Sequence, residues 1–152
     1  MVLVVGLRAI KRWQKKRART QYEIHKEIAR TMIHGRLQYF SQLYGCEYKR
    51  VAIRDTKRSW GSCSSKGNLN FSYKLLFLSP CLSDYIIVHE LCHLFELNHG
   101  PKFWSHMANC MPDYKIRMQS LRQLERTHGT SVKALVNLQK QQFSSRMCVY
   151  HL

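Results

Sequence analysis

The chain is organised around one stretch, Val88-His89-Glu90-Leu91-Cys92-His93, which is soon followed by Asn98-His99-Gly100-Pro101. On a helix, residues four positions apart share one face and lie roughly 6 Å apart along the axis. His89 and His93 can therefore both reach one small cation. Glu90 flanks that cation and can accept a proton from a water that the metal activates. The stretch predicts a zinc-binding helix that carries its own general base.

Two histidines are too few for a catalytic zinc site, which usually has three protein ligands and one open position. The candidates for the third ligand are Glu96, His99, His106 and Asp113. On a straight helix Glu96 lies about 10 Å from His89, too far for bonds of about 2 Å to one ion. His99 lies beyond the expected helix end, six residues after His93, which matches the metzincin spacing. We favour His89, His93 and His99 as ligands, with Glu96 as a supporting residue.

The structural alternative is a buried helix that only happens to carry two histidines. Burying two imidazoles and a carboxylate without a metal would be unfavourable, so we prefer the metal site.

The composition is that of an ordinary globular chain except for its charge. Of 152 residues, 45% are apolar, but 25 Lys and Arg face only 9 Asp and Glu, which gives a net charge of +16. Residues 1–36 hold ten of these basic residues and two acids. This excess predicts either a solvated basic flank or an electrostatic contact with nucleic acid or a membrane surface.

The cysteines and the first residues indicate the compartment. The six cysteines include no C-x-x-C pair, and their spacing is not that of a disulfide framework. We expect reduced, mostly buried thiols. Met1–Leu7 is apolar but too short to span a bilayer, and its positive charges follow it, the reverse of a signal peptide. The expected location is the cytoplasm.

Before the motif, the sequence predicts a long helix and a small antiparallel sheet. Apolar residues fall at helical spacing from about Tyr22 to a stop at Gly45, and the basic segment Arg8–Arg19 is expected to continue into this helix. Tyr48–Thr56 and Asn68–Tyr73 alternate with period two. We predict that these two strands form an antiparallel pair, completed by a third short piece, around the loop Lys57–Gly67.

From the motif onward, the sequence predicts helices. Ser79-Pro80 is a typical helix start, and the helix is expected to run to about Leu97. Two further helices are predicted at Lys102–Met111 and Asp113–Arg126, and a loose tail with some helix at Thr130–Leu152. The fold class is α+β.

At this point the sequence resembles the YgjP-like family of predicted zinc metallopeptidases. The matching residues run from about Val51 to Leu124. They include Arg54-Asp55, Lys57-Arg58-Ser59-Trp60-Gly61-Ser62-Cys63-Ser64, Gly67, Asn70, the two stretches quoted first, Phe103-Trp104 and Pro112-Asp113. The Trp-Gly-Ser-Cys block is the more distinguishing signal, since many zincins share H-E-x-x-H. The SprT-like peptidases, which act on DNA–protein crosslinks, look like more distant relatives.

The resemblance implies a zincin-like fold, with a small sheet beside the active-site helix, zinc on His89, His93 and His99, and Glu90 as catalytic base. We predict three segments along the chain: a basic segment at 1–20, the metallopeptidase domain at 21–128 and a tail at 129–152. Family members usually carry a β-rich region before the long helix, which here begins near the first residue.

The leading hypothesis is a zinc-dependent metallopeptidase acting on peptides or proteins. The alternatives are a zinc hydrolase for nucleotides or other anionic small molecules, and a nucleic-acid-binding module or DNA-directed peptidase. Cys63 is a further candidate ligand, although a buried structural thiol is preferred. Candidates for the oxyanion partner are Tyr73, Tyr114 and His106.

Overall fold

We describe the fold from a computed structural model. The structure describes residues 2–129 and 131–138, and for residues 2–20 and 128 it describes the backbone alone. The elements in chain order are α1 (Val2–Tyr44), β1 (Arg50–Arg54), β2 (Gly61–Cys63), β3 (Asn68–Ser72), a 3-10 helix (Tyr73–Phe77), α2 (Pro80–Cys92), α3 (Pro101–Cys110) and α4 (Tyr114–His128). A short helix follows at residues 132–138. This mixed arrangement confirms the α+β class.

Helix α1 is continuous, as the sequence predicted for the basic segment and the apolar segment that follows it. Its buried side chains recur every three or four residues, at Ala29, Ile33, Leu37 and Phe40. This spacing gives one face toward the core. Gly45 ends the helix with a φ of 61°, a left-handed conformation that favours glycine.

Two polar contacts fix α1 against the rest of the molecule. The Tyr22 hydroxyl donates to the carbonyl of Ile53 in β1 at 2.8 Å. Arg36 donates two hydrogen bonds of 2.7 Å to the carboxylate of Asp84 in α2, a bidentate pair of well-defined orientation. The long helix is thereby joined to both the sheet and the helix of the motif.

The sheet is mixed, and the predicted antiparallel pairing of its two long strands is wrong. The strand order is β1-β3-β2: β1 and β3 run parallel, and β2 pairs antiparallel with β3. The third strand, β2, lies inside the stretch predicted as a loop. After β2 the chain turns at Gly67, whose φ is 74°, and forms a hairpin with β3. Strand β3 therefore lies between β2 and β1. Three residues are too few for period-two alternation to show.

Helix α2 is buried on most sides, but it ends earlier than predicted. It begins at Pro80 as expected, although the Ser79 side chain makes no capping hydrogen bond. It ends at Cys92 rather than near Leu97, because the amides of Leu94 and Phe95 bond three residues back and tighten the chain into turns. The chain therefore turns back directly after the second histidine of the motif.

The helices after the motif close over α2. The bounds of α3 and α4 agree with the predicted helices within two residues. Leu135 is 1% exposed and belongs to the core, so the first part of the predicted tail packs on the domain. The rest of that tail, residues 139–152, lies outside the described residues. The division at residues 20 and 128 stays a prediction. None of the helices described is long and apolar enough to cross a bilayer.

Candidate metal centre

The fold brings three histidines together at the end of α2. One ring nitrogen each of His89, His93 and His99 lies within 4.8 Å of the others. The Nε2 atoms of His89 and His99 are 2.9 Å apart. Nitrogens bound to one zinc at about 2.1 Å lie about 3.4 Å apart in a tetrahedral site. The three nitrogens are thus close enough together to bind one metal ion.

His93 is oriented by the turn that follows it. Its Nδ1 donates to the carbonyl of Glu96 at 3.0 Å. A carbonyl only accepts, so Nδ1 carries the proton and Nε2 is left with a free lone pair. The same turn is held by the Glu96 carboxylate, which accepts from the amide of Asn98 at 3.3 Å. Glu96 therefore supports the cluster from outside it.

His99 is held by the start of α3. Its carbonyl accepts a hydrogen bond of 3.0 Å from the indole Nε1 of Trp104. The amide of Gly100 bonds to the carbonyl of Asn98 at 2.8 Å, which closes the turn before Pro101 starts α3. The chain is thus fixed on both sides of His99, which explains how an exposed side chain keeps its place over α2.

Phe103 forms the floor of the cluster. It is completely buried, and its ring centroid lies 4.9, 4.5 and 4.7 Å from those of His89, His93 and His99. Distances of this size are typical of packed aromatic pairs. The sequence pattern indicated no role at the site for Phe103 and Trp104; their position about one helical turn after His99 is the signal that would have found them.

The donor set suits a divalent transition metal such as zinc, which readily binds neutral imidazole. Burial, followed by the neighbouring imidazoles, lowers the pKa of His89 to about 3, so its ring is neutral at pH 7. The Nε2 atoms of His89 and His99 lie 2.9 Å apart, close enough to share a proton or to bind one cation. Both observations fit a cation at this position.

The other residues considered as ligands lie elsewhere. His106 stacks on Phe95, with ring centroids 5.3 Å apart, and the Asp113 carboxylate accepts from Arg117. Neither Glu96 nor Cys63 contributes to the cluster that the described residues form. The spatial grouping therefore matches the three histidines favoured from the sequence.

Glu90 lies beside the cluster in an apolar setting. It is 6% exposed, and its buried Oε2 has no hydrogen-bond partner among the residues described. Burial raises the pKa of this carboxyl to about 8. Its neighbour on the sheet side is Gly61 of β2: a Cβ atom built there would lie 2.7 Å from Glu90 Cγ.

A cavity of about 160 Å³ opens next to Glu90 and His89. Its remaining walls come from the start of β2 and the residue before it, from the preceding turn of α2 and from α4: Trp60, Gly61, Tyr85, Ile86 and Leu121. The oxyanion candidates named from the sequence do not line it. Tyr73 packs on Tyr22, and Tyr114 stacks on Trp104. Tyr85, which was not among the oxyanion candidates, is the tyrosine that lines this cavity.

Comparison with known proteins identifies the class. The fold is similar to the crystal structure of the metallopeptidase zymogen of Pyrococcus abyssi abylysin, with a TM-score of 0.54 and 25% identity over 62% of this chain and 94% of that chain. The fold and the site define a metallopeptidase-like hydrolase. The family model described as YgjP-like, metallopeptidase domain, matches residues 7–124, and the chain belongs to the YgjP-like family. No curated protein matches the chain.

Proposed function

We propose that the protein is a zinc-dependent peptidase that cleaves an extended peptide or protein segment. The observation that carries this proposal is the meeting of three imidazole nitrogens within 4.8 Å, beside a buried glutamate and an edge strand of the sheet. Membership of a metallopeptidase family supports the reaction class.

His89, His93 and His99 would hold the zinc through their Nε2 atoms. When bound, the metal supplies a Lewis acid that acidifies water and polarises a carbonyl, and its charge favours the ionised form of Glu90. The Glu90 carboxylate would accept a proton from the attacking water. The same carboxyl delivers that proton to the leaving amine, as a single residue that acts first as base and then as acid.

The substrate would bind along β2. Among the described strands, β2 pairs only with β3, so its other edge is free to receive an extended peptide. The start of this strand touches Glu90, which brings a bound peptide bond close to the base. The cavity walled by Ile86 and Leu121 would accept an apolar side chain of that peptide.

The alternatives from the sequence remain hypotheses. An anionic small molecule or a nucleic acid would need a cationic contact near the site, and the wall of the cavity carries no lysine or arginine. We also propose a cytoplasmic location, because all five cysteines within the described residues are free thiols, as expected of a reducing compartment.

The test compares substrate classes with the zinc-loaded full chain. A disordered protein, short peptides, nucleoside triphosphates and single-stranded DNA are incubated with the wild type and with Glu90→Gln. Cleavage of protein and peptides alone, lost in Glu90→Gln, is the expected result. Hydrolysis confined to nucleotides, or peptide cleavage that is equal in the two proteins, would contradict the proposal.

A further inference from the structure

We propose that Gly61 is a positioning residue for Glu90, and that a side chain at this place in β2 would displace the carboxylate from the position where it accepts its proton. The inference rests on the proposed role of Glu90 as general base. It also gives the Trp60-Gly61 pair a function beyond its place in the sheet.

The need for glycine at position 61 comes from space and not from backbone conformation. Gly61 is absent from the glycines with positive φ, which are Gly45, Gly67 and Gly129 in the described chain. A Cβ atom at Gly61 would lie 2.7 Å from Glu90 Cγ, 2.8 Å from its Oε1 and 3.0 Å from its Cδ. Carbon atoms pack at about 3.5–4.0 Å, so Glu90 or the strand would have to move by about 0.8 Å or more.

The strand is the less movable of the two. Next to Gly61, the carbonyl of Trp60 accepts from the amide of Ser72 at 2.8 Å, and its indole Nε1 donates to Glu125 Oε1 of α4 at 2.7 Å. Trp60 is 6% exposed. Trp60 is therefore bonded both to the sheet and to α4. The adjacent Gly61 cannot move away from Glu90 without breaking one of these hydrogen bonds.

The Glu90 side chain has no comparable restraint. Its Oε2 has no hydrogen-bond partner in the described part of the chain. The Gly61 backbone leaves no room for a Cβ atom beside the Glu90 side chain and so bounds the position of the carboxylate on the side of β2. A misplacement of about 1 Å at a catalytic group lowers the rate by about 100-fold, so a single methyl group at position 61 should act mainly on the chemical step.

The decisive variant is Gly61→Ala in the zinc-loaded chain. We expect kcat to fall by about 100-fold, with KM and zinc affinity unchanged. A crystal structure of the variant should show the Glu90 carboxylate displaced while β2 keeps its pairing with β3. An unchanged kcat, or a Glu90 carboxylate in its original place, would overturn the inference.

The matched control is Gly35→Ala, an exposed glycine of α1 with no atom within 4 Å of an added Cβ. It should leave kcat unchanged and should not lower the melting temperature. A fall in kcat equal to that of Gly61→Ala would show a general effect of the substitution and overturn the inference.

The Glu90→Gln background separates the two proposals. If Gly61 acts through Glu90, Gly61→Ala causes no further loss of kcat in Glu90→Gln, because effects within one unit do not add. An equal loss in both backgrounds would show that Gly61 acts independently of the base. Wild-type turnover in Glu90→Gln itself would instead remove the proposed function.

A second route covers the case in which Gly61→Ala does not fold. Glu125→Ala removes the acceptor of the Trp60 indole and should lower kcat by about 10-fold at unchanged zinc affinity. Glu125→Gln keeps an acceptor oxygen and should restore kcat. Wild-type kcat in Glu125→Ala would overturn the inference.

Discussion

The imidazole cluster and the Glu90 carboxylate meet at the end of α2, but different forces hold them. His93 is fixed by the Glu96 carbonyl, His99 by the Trp104 indole, and all the rings of the cluster rest on Phe103. The carboxylate instead has one buried oxygen without a partner and a glycine against its side chain. The three imidazoles are positioned by hydrogen bonds and packing, and the Glu90 carboxylate is positioned by the space that Gly61 leaves for it.

Because the imidazoles and the carboxylate are held by different contacts, we expect that mutations can change metal binding and catalysis separately. Substitutions under the imidazoles should change zinc affinity and stability. Substitutions around Glu90 should change turnover and leave zinc in place.

The largest expected effect is that of His99→Ala. Removing one of three nitrogen ligands should lower zinc affinity by more than about 100-fold, beyond the range for supporting residues, and abolish turnover. Competition with a chelator measures the affinity. His106→Ala is the control, since His106 stacks on Phe95 outside the cluster. Equal zinc affinities of the two variants would refute the ligand set.

Glu90→Gln should lower turnover and leave zinc binding unchanged. It keeps the size of the side chain but removes the proton acceptor, so kcat should fall by about 10²–10⁴-fold while zinc affinity stays at the wild-type value. Single-turnover assays and chelator competition on the same preparation measure both quantities. A parallel loss of zinc would make Glu90 a ligand and contradict the assignment.

Phe103→Ala should separate stability from chemistry. Phe103 is fully buried, and its removal should lower the free energy of unfolding by about 3–5 kcal/mol. Urea unfolding of the metal-free chain measures this change. Ile116→Ala, at a residue 68% exposed, should change it by no more than about 0.5 kcal/mol. Similar losses of unfolding free energy in both variants would show that packing of the imidazoles on Phe103 does not stabilise the fold.

Trp104→Phe should give the smallest of these effects. It preserves an aromatic ring but removes the hydrogen bond to the His99 carbonyl. Zinc affinity should fall by about 10-fold, the lower end for a supporting residue. Tyr114→Phe, which keeps the ring stacked on Trp104, should leave the affinity unchanged. An unaltered affinity in Trp104→Phe would mean that the turn alone fixes His99.

The sequence predicted the parts of the fold that depend on long, regular patterns. The apolar spacing of α1, its stop at Gly45 and the helices around Pro112 all have counterparts in the structure. It also predicted the grouping of His89, His93 and His99, because helix periodicity and a turn are local properties.

The sequence could not predict features that depend on contacts between distant segments. The parallel pairing of β1 and β3 arises because β2 takes the far edge, and three residues carry too little pattern to show this. From the sequence, Glu96 was rejected as a metal ligand because it would lie far along a straight helix. The structure gives a different reason: the helix ends at Cys92, and Glu96 lies in the following turn, where its carboxylate accepts from the amide of Asn98. The close approach of Gly61 to Glu90 joins segments 29 positions apart and is visible only in three dimensions.

The most direct test is a crystal structure of the zinc-loaded protein with anomalous data collected at the zinc absorption edge. We predict one peak at the end of α2, about 2.0–2.1 Å from an Nε2 atom of each of His89, His93 and His99, with Glu90 near it but not bonded to it. A peak coordinated by Glu90, Glu96 or Cys63 in place of one of these histidines, or no peak at this position, would contradict the account.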